Sequence, residues 1–325
     1  MKAAADQLSA VLRAGGDELA RLLARTEERL AEVASGHGEV LADYAGDTLS
    51  AGGKRLRPML VFICAGAAPE EEDLVRAGAA VELLHTATLV HDDVLDDAAL
   101  RRGRPTVFAR GGAVAATATG DLLFSRAFAE LAATGSADAV RVLSSASSAL
   151  ARGELMQRED AWSDTVTPER YIERCELKTA RLFEAACRLG AILGRPGAGA
   201  ADPLGAFGSR IGVAFQIFDD VLDVSGPAER TGKPRGADLL DGTVTLPLIL
   251  ARRRDESLRT LQVEDAAEAE AVCRRIAATG ALGEAREEAL RYVGEAKTEL
   301  GDVELSDTQR TTLNLVADSV VERYS

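Results

Sequence analysis

Apolar residues recur every three or four positions along most of this chain. Residues 3–33 follow that spacing, and it resumes near the C-terminus, where Leu313 and Val316 share one face. Such spacing predicts amphipathic helices rather than strands. Thr167 before a proline and Ser306 three residues before a glutamine are typical helix starts. The pattern therefore favours a mostly helical protein.

One long stretch interrupts the pattern. Residues 225–242 hold four glycines, two prolines and several charges. A stretch of this length without periodicity is typical of a functional loop or of disorder. We predict a loop that is mobile without ligand and becomes ordered when Lys233 and Arg235 acquire bound partners. No shift in composition divides the chain, so we expect a single domain over residues 1–325.

Composition agrees with helix and narrows the class of function. Hydrophobic residues make up 46% of the chain and aromatic residues 4%, which leaves few candidates for strands. A net charge of −14 argues against nucleic-acid binding, which needs a basic footprint. No window reaches the ~20 apolar residues of a membrane span, and the N-terminus lacks the apolar core of a signal peptide. The four widely spaced cysteines predict reduced thiols in a cytoplasmic protein.

The pentapeptide Asp-Asp-Val-Leu-Asp occurs twice, at residues 92–96 and 219–223. On a helix, its first and last aspartates project from one face. Carboxylates held this close repel each other unless a cation lies between them, and Mg²⁺ prefers such oxygen ligands. A single copy could equally be a solvated helix end. Two copies, each following apolar residues, favour paired metal sites that hold a diphosphate.

Basic residues flank both pentapeptides. Each group alone is typical of a solvated surface, but beside two metal sites they predict a pocket for two diphosphates, because Arg and Lys bind phosphate oxygens. They are Lys54, Arg55, Arg57, Arg101, Arg102, Arg104, Lys178, Arg181, Lys233 and Arg235. His85 lies close to the helix face of Asp92. His91 lies about 100° around that helix, so we expect it to serve in packing.

These residues together resemble the trans-isoprenyl diphosphate synthases of the polyprenyl synthetase family. The segments that carry the resemblance stand in the family's order over roughly residues 40–250: GGKRLRP, ELLHTATLVHDDVLDDAALRRGRPT, GELMQ, LKTA, FQIFDDVLD, GKPRGADL and TLPL. The resemblance implies an all-α fold of the isoprenoid synthase type, a single bundle of long helices around a deep central cavity. It also implies a homodimer.

The resemblance implies a Mg²⁺-dependent transferase that elongates a prenyl chain. The enzyme would condense isopentenyl diphosphate with an allylic diphosphate (dimethylallyl, geranyl, farnesyl or geranylgeranyl) to give a trans-polyprenyl diphosphate. The allylic carbon ionises, the double bond attacks it and a proton leaves, so no side-chain nucleophile is needed. We expect about three Mg²⁺ ions per active site and a peripheral membrane contact for product release.

The resemblance also assigns roles to individual residues, position by position. Mg²⁺ would be bound directly by Asp92, Asp96 and Asp219, with Asp93, Asp220 and Asp223 as close partners. Isopentenyl diphosphate would be held by Lys54, Arg57, His85 and Arg102. The allylic diphosphate would contact Arg101, Lys178 and Lys233. The residues nearest the chemistry would be Lys178, Thr179, Gln216 and Lys233, supported from a facing helix by Glu154 and Gln157.

Position 243 departs from the family's pattern. Many relatives have lysine after the glycine that precedes the Thr-Leu-Pro segment, whereas here Gly242 is followed by Thr243. One contact to a diphosphate is therefore missing. We expect Arg235 or water to replace it.

Product length is predicted from the turn of helix below the first pentapeptide. Ala87 and Thr88 lie roughly 6–7 Å deeper than Asp92, and they are small where relatives with short products have aromatic residues. We predict an open shaft and a product of about six to ten isoprene units, or about C30–C50, by resemblance. Phe124 and Phe128 would form its floor or be plain core. A geranylgeranyl or farnesyl diphosphate synthase is the alternative.

Three other classes share part of the pattern. An HD-type metal phosphohydrolase would use His85 and the His91-Asp92 pair, but its further histidine would have to be His37, and the second pentapeptide would be unexplained. A terpene cyclase would carry Asn, Ser and Glu in its second motif. A non-catalytic subunit would tend to lose the metal aspartates. Mg²⁺-dependent activity on isopentenyl diphosphate without phosphatase activity separates these classes.

Overall fold

Helices dominate the computed structural model, which describes residues 2–36, 38–50, 52–66, 70–101, 103–194, 199–226 and 235–322. The predicted all-α fold is confirmed. The first helices are α1 (Lys2–Ser35), α2 (Glu39–Ser50), α3 (Leu56–Ala65), α4 (Glu71–Leu95), α5 (Val107–Ala132) and α6 (Ala137–Glu159). A short antiparallel hairpin, β1 (Leu100–Arg101) with β2 (Arg104–Pro105), joins α4 to α5.

The second half of the chain continues with α7 (Pro168–Cys175), a π-helical turn (Glu176–Ala180), α8 (Arg181–Leu193) and α9 (Ala201–Ser225). Shorter helices follow: α10 (Ala237–Leu240), α11 (Leu246–Arg252), a 3₁₀ turn (Glu256–Leu258), α12 (Ala266–Ala278), α13 (Ala281–Glu299) and α14 (Asp307–Glu322). Buried hydrophobic residues from Val11 to Val320 join in one cluster. Within the described ranges, no helix has the length and apolar character needed to cross a membrane.

Helix α4 lies at the centre of the packing. It contacts α1, α3, α5 and α8, and α9 contacts α8 and α13. Residues around the whole circumference of α4 are buried, including Val75, Ala79, Leu83 and Leu84. A helix that is apolar on all sides is stable only when other elements surround it. The C-terminal end of α4 therefore delivers the first aspartate pentapeptide from a rigid core.

The predicted helix starts are present. Thr167 accepts a hydrogen bond from the Arg170 amide (3.3 Å), with proline in the first turn. Ser306 and Gln309 exchange backbone-to-side-chain hydrogen bonds of 3.2 Å, as a capping box should. The acidic first turn of α4 has a second role, because Glu71 also pairs with Arg21 of α1 at 2.6 Å.

A buried carboxylate ties three helices together. Glu130 of α5 is 1% exposed and pairs with Arg29 of α1 (2.9 Å) and Arg76 of α4 (3.1 Å). Removing one partner of a buried pair is strongly destabilising, because the other charge is left uncompensated. This cluster holds α1 and α5 against α4 on the far side from the aspartates. The cysteines, in agreement with the sequence, are free and buried.

Candidate active site

The two pentapeptides face each other across one polar cavity. Asp92 and Asp96 reach it from the end of α4, and Asp219 and Asp220 reach it from α9. The cavity has a volume of about 200 Å³. We call it the aspartate cavity. The prediction that two distant copies of one motif serve a single site thus agrees with the structure.

The central aspartate of the first motif points elsewhere. Asp93 is 3% exposed, accepts a hydrogen bond from the Nε of Arg101 at 2.7 Å and lines a neighbouring cavity. Asp223, at the end of the second motif, is not among the residues that line the aspartate cavity, and its carboxylate accepts a hydrogen bond from the Asp238 amide (3.3 Å). The i, i+4 geometry therefore brings Asp92 with Asp96 to the cavity, but not Asp223 with Asp219.

A third wall comes from the π-helical turn, which carries Lys178 and Thr179. Glycine allows two helices to approach this turn. A Cβ on Gly153 of α6 would lie 2.5 Å from the Lys178 amide nitrogen, and one on Gly212 of α9 would lie 2.5 Å from the Ala180 Cα. The close approach of α6 places Glu154 in an ion pair with the Lys178 ammonium group. π-helical turns are rare and often mark functional sites.

A chain of hydrogen bonds connects the π-helical turn to the second motif. The Thr179 hydroxyl donates to Gln216 Oε1 (2.7 Å), and Gln216 Nε2 donates to Asp220 Oδ1 (2.7 Å). The buried Tyr171 hydroxyl donates to Asp220 Oδ2 (2.6 Å). Both oxygens of Asp220 are thus engaged. Burial, with the nearby Asp238, raises the pKa of Asp220 to about 8, against these hydrogen bonds, which lower it.

The cavity carries a surplus of negative charge. Burial raises the pKa of Asp92 to about 6; Lys178 opposes that shift, and Glu154 and Asp96 add to it. Burial alone would raise the pKa of Glu154, but its contacts with Lys178 and Arg158 outweigh burial and lower that pKa. A bound cation would relieve the strained charge at Asp92. The carboxylate oxygens that line the cavity are the type of ligand that Mg²⁺ prefers.

The arrangement fits Mg²⁺ held jointly with a substrate. In the part of the chain that the structure describes, no three carboxylate, imidazole or thiol groups already form a closed metal cage. Mg²⁺ typically binds through one or two carboxylates and completes its shell with water and substrate phosphates. Asp92 with Asp96 on one wall and Asp219 on the other suit that mode, with a diphosphate between them.

A second cavity of about 290 Å³ adjoins the first. Its lining includes Asp93, His85 and three arginines of the hairpin and α5: Arg101, Arg104 and Arg110. We call it the histidine cavity. Arg101 lines both cavities. The structure thus has a space with several arginines in its lining beside an acidic cavity.

The other predicted phosphate ligands are placed differently. Lys54 is exposed, and Arg57 stacks on the Phe183 ring with its guanidinium carbon 4.5 Å from the ring centroid. Neither is among the residues that line the two cavities. Arg235 donates from Nε to the Val224 carbonyl and pairs with Glu270 at 3.0 Å, so it does not replace the missing lysine at position 243. Arg102, Lys233 and His37 lie outside the described residues, as does the 227–234 part of the predicted loop.

The residues predicted to set product length lie away from the aspartate cavity. Ala87 is fully buried, and the Thr88 hydroxyl donates to the His85 carbonyl at 2.8 Å. The rings of Phe124 and Phe128 stack 5.5 Å apart and pack against the core. None of these four lines the aspartate cavity. The described cavities therefore do not show the open shaft that the sequence predicted, and Phe124 and Phe128 are partly buried against the core.

His91 has the packing role that its position on the helix predicted. Its Nε2 lies 3.4 Å from the Thr117 carbonyl and 3.4 Å from Asp121 of α5. A Cβ on Gly120 would overlap the imidazole ring at 2.2 Å. The ring thus fills a space between α4 and α5 rather than joining the cavity.

Several residues of the site were not predicted from the sequence. Arg158 links Asp96 and Glu154, and its i+4 spacing from Glu154 was the available signal. Tyr171 and Arg174 on α7 both line the aspartate cavity and are buried. Nothing in the local pattern distinguishes them from core or surface residues, because their partners lie on α9 and beyond α10.

The fold and the site define a class of protein: an all-helical protein in which two aspartate motifs face each other over a polar cavity beside a basic one. The family model described as polyprenyl synthetase matches residues 38–278. The chain belongs to that family.

Relatives and solved structures agree with this assignment. The chain is 39% identical over 283 residues to heptaprenyl diphosphate synthase component 2 of Geobacillus stearothermophilus, covering 84% of this chain and 87% of the relative. It is 36% identical to geranylgeranyl diphosphate synthase of Methanosarcina mazei, over 85% of this chain and 87% of the relative. A Caulobacter crescentus polyprenyl synthase complexed with calcium and isoprenyl diphosphate superposes with a TM-score of 0.86 at 32% identity, covering 98% of each chain.

Proposed function

We propose that this protein is a Mg²⁺-dependent, chain-elongating prenyltransferase that condenses isopentenyl diphosphate with an allylic diphosphate into a trans-polyprenyl diphosphate. One observation carries the proposal: Asp92, Asp96 and Asp219 line a single cavity from two helices, and Lys178 completes its wall. Divalent cations, when bound there, would neutralise charge on the departing diphosphate. A related structure complexed with calcium and isoprenyl diphosphate supports a divalent cation and a prenyl diphosphate as the ligands.

The chain's own groups position the allylic substrate. Glu154 holds the Lys178 ammonium group at the cavity wall, where it can contact diphosphate oxygens. Thr179 and Gln216 are fixed by their mutual hydrogen bond, and their oxygen atoms would stabilise a developing carbocation. Cys175 also lines the cavity, but burial raises the pKa of its thiol to about 12. It therefore stays protonated and is not a nucleophile.

The histidine cavity is the proposed site for isopentenyl diphosphate. His85, Arg101 and Arg104 line it and supply hydrogen-bond donors and positive charge. The Asp93–Arg101 pair stands between the two cavities, and Arg101 reaches both. This arrangement would hold the two diphosphates apart while bringing their hydrocarbon ends together. Lys54, just before α3, and Arg57, in its first turn, would join the site if the start of this helix moved towards the cavity.

A medium or long product, of about six to ten isoprene units by resemblance, is the proposed outcome. Small side chains at Ala87 and Thr88 leave room below the first motif once the helices separate around a chain. The Geobacillus relative's name, heptaprenyl diphosphate synthase component 2, points the same way. The Methanosarcina relative's name keeps geranylgeranyl diphosphate as the shorter alternative.

We expect a homodimer that touches a membrane when it releases product. Val114 on α5 is 85% exposed, and Leu95 and Leu100, near the aspartates, are 51% and 66% exposed. These residues would support such a contact only if they form one apolar patch, since single exposed apolar side chains are ordinary on protein surfaces. Light scattering on the purified chain measures the first expectation, and flotation with phospholipid vesicles measures the second.

The test uses the purified chain alone with Mg²⁺, labelled isopentenyl diphosphate and each of the four allylic primers. Product mass should show repeated five-carbon additions, ending near six to ten units as a rough expectation from resemblance. Release of phosphate without carbon–carbon bond formation would instead favour a phosphohydrolase. Activity that appears only with a second protein would show that this chain is one component of the enzyme.

A further inference from the structure

One buried cation in the aspartate cavity has no role in the machinery described so far. Arg174 of α7 is 4% exposed and lines that cavity. Its Nη2 donates to the Val244 carbonyl at 2.6 Å, and its guanidinium group lies 5.3 Å from the centre of the Tyr171 ring. These two contacts fix the orientation of the group.

The other terminal nitrogen of Arg174, Nη1, lacks a hydrogen-bond partner among the described residues. Among the residues that the structure describes, no atom accepts a hydrogen bond from Nη1, although that nitrogen is buried. A buried, unpaired donor on a charged group is costly, so native structures rarely retain one without a use. Because Arg174 lines an acidic cavity and is anchored through Nη2, an anion bound in that cavity is a candidate acceptor for Nη1.

Among the described residues, the wall next to position 243 supplies no other cation that is left without an acidic or carbonyl partner. Thr243 lines the same cavity next to Val244, to which Arg174 is anchored, and it offers a hydroxyl group without charge. Arg235, the predicted substitute there, is engaged with Glu270 and the Val224 carbonyl. Lys178 lies on the π-helical turn and is paired with Glu154. Arg174 is thus the cation that the structure places beside position 243.

We propose that Nη1 of Arg174 binds the diphosphate group of the allylic substrate directly, as the cationic contact on the Thr243 side of the cavity. This inference rests on the proposed function for the identity of the substrate. The contact is a charge-assisted hydrogen bond to a phosphate oxygen. It forms when the diphosphate enters and pairs the donor that the described residues leave unpaired.

A structural role is the competing explanation. The positive charge of Arg174 also acts on buried Asp220, whose pKa it lowers slightly against the effect of burial. Loss of Arg174 could therefore alter metal binding without any contact to diphosphate. A test must separate affinity for the diphosphate from the requirement for Mg²⁺.

The experiment measures binding of inorganic diphosphate by calorimetry at a series of Mg²⁺ concentrations. Arg174→Gln keeps a donor for the Val244 carbonyl and removes the charge, and Arg174→Met serves if that variant does not fold. Diphosphate affinity should fall about tenfold or more at saturating Mg²⁺. Arg253→Met is the matched control, because Arg253 is 57% exposed and absent from the cavity lining, and its affinity should be unchanged.

A second-site substitution makes the test specific. Thr243→Lys in the Arg174→Gln background should restore most of the diphosphate affinity by supplying charge from the adjacent position. Normal affinity in Arg174→Gln, a loss that disappears at high Mg²⁺, or a folded double variant that stays weak would each overturn the proposal. Failure of the proposed function would appear separately, as wild-type protein that binds diphosphate but makes no prenyl product.

Discussion

Replacing Asp92 with asparagine should stabilise the metal-free protein while it abolishes function. Burial raises the pKa of Asp92 from 3.8 to about 6. The folded protein therefore holds this proton more tightly than the unfolded chain, and stability falls as the pH rises between those two values. A shift of about two units corresponds to a penalty of about 3 kcal/mol at neutral pH. Asparagine has nearly the same shape and carries no charge, so it removes that penalty.

The assay is urea unfolding in the presence of a chelator at pH 5 and pH 8. The free energy of unfolding of Asp92→Asn should exceed that of the wild type by up to about 3 kcal/mol at pH 8 and by about half as much at pH 5. Asp43→Asn is the control, because Asp43 is exposed on α2 and should change little at either pH.

Added Mg²⁺ and diphosphate should reverse the order, because they stabilise the wild type by mass action and the variant far less. The reasoning is refuted if Asp92→Asn is less stable than the wild type in chelator at pH 8. It is also refuted if the advantage is the same at both pH values, since the effect would then not come from the ionisation of Asp92.

Three further predictions concern other parts of the site. Gly153→Ala should lower turnover at least about tenfold, because the added Cβ would push the π-helical turn away from α6. Gly294→Ala is the control and should leave turnover unchanged in the same steady-state assay, because a Cβ there meets nothing within 4 Å. Glu130→Gln should cost about 2 kcal/mol of stability in urea unfolding without changing the Mg²⁺ requirement, and an unchanged stability would show that the buried cluster is dispensable. Ala87→Phe should shorten the product, measured by mass, and products of unchanged length would mean that the prenyl chain does not pass this turn.

The sequence predicted those parts of the site that depend on local spacing. Asp92 and Asp96 are one helical turn apart, so their shared face follows from helix geometry alone. His91 was likewise assigned to packing from its angle around α4, and the structure places it against Thr117. Because the two distant pentapeptides are identical, the sequence also predicted that the helices carrying them, α4 and α9, line one cavity.

Features that depend on contacts between distant segments could not be predicted from the sequence. The π-helical turn forms because Gly153 and Gly212 allow α6 and α9 close to it, and no propensity scale registers such a contact. Arg174 looks like an ordinary charged residue of a short helix until the Val244 carbonyl, far along the chain, fixes its direction. Arg57 is the opposite case: its sequence motif predicted a phosphate contact, but in the structure its guanidinium group stacks on the Phe183 ring.

Joint binding of one diphosphate by the two aspartate motifs is the central claim. A crystal of the protein with Mn²⁺ and inorganic diphosphate, measured at the manganese absorption edge, would locate the cations. We predict anomalous peaks beside Asp92 and Asp96 and beside Asp219, bridged by a single diphosphate. Peaks on one motif alone, or a diphosphate bound away from both motifs, would contradict the central claim.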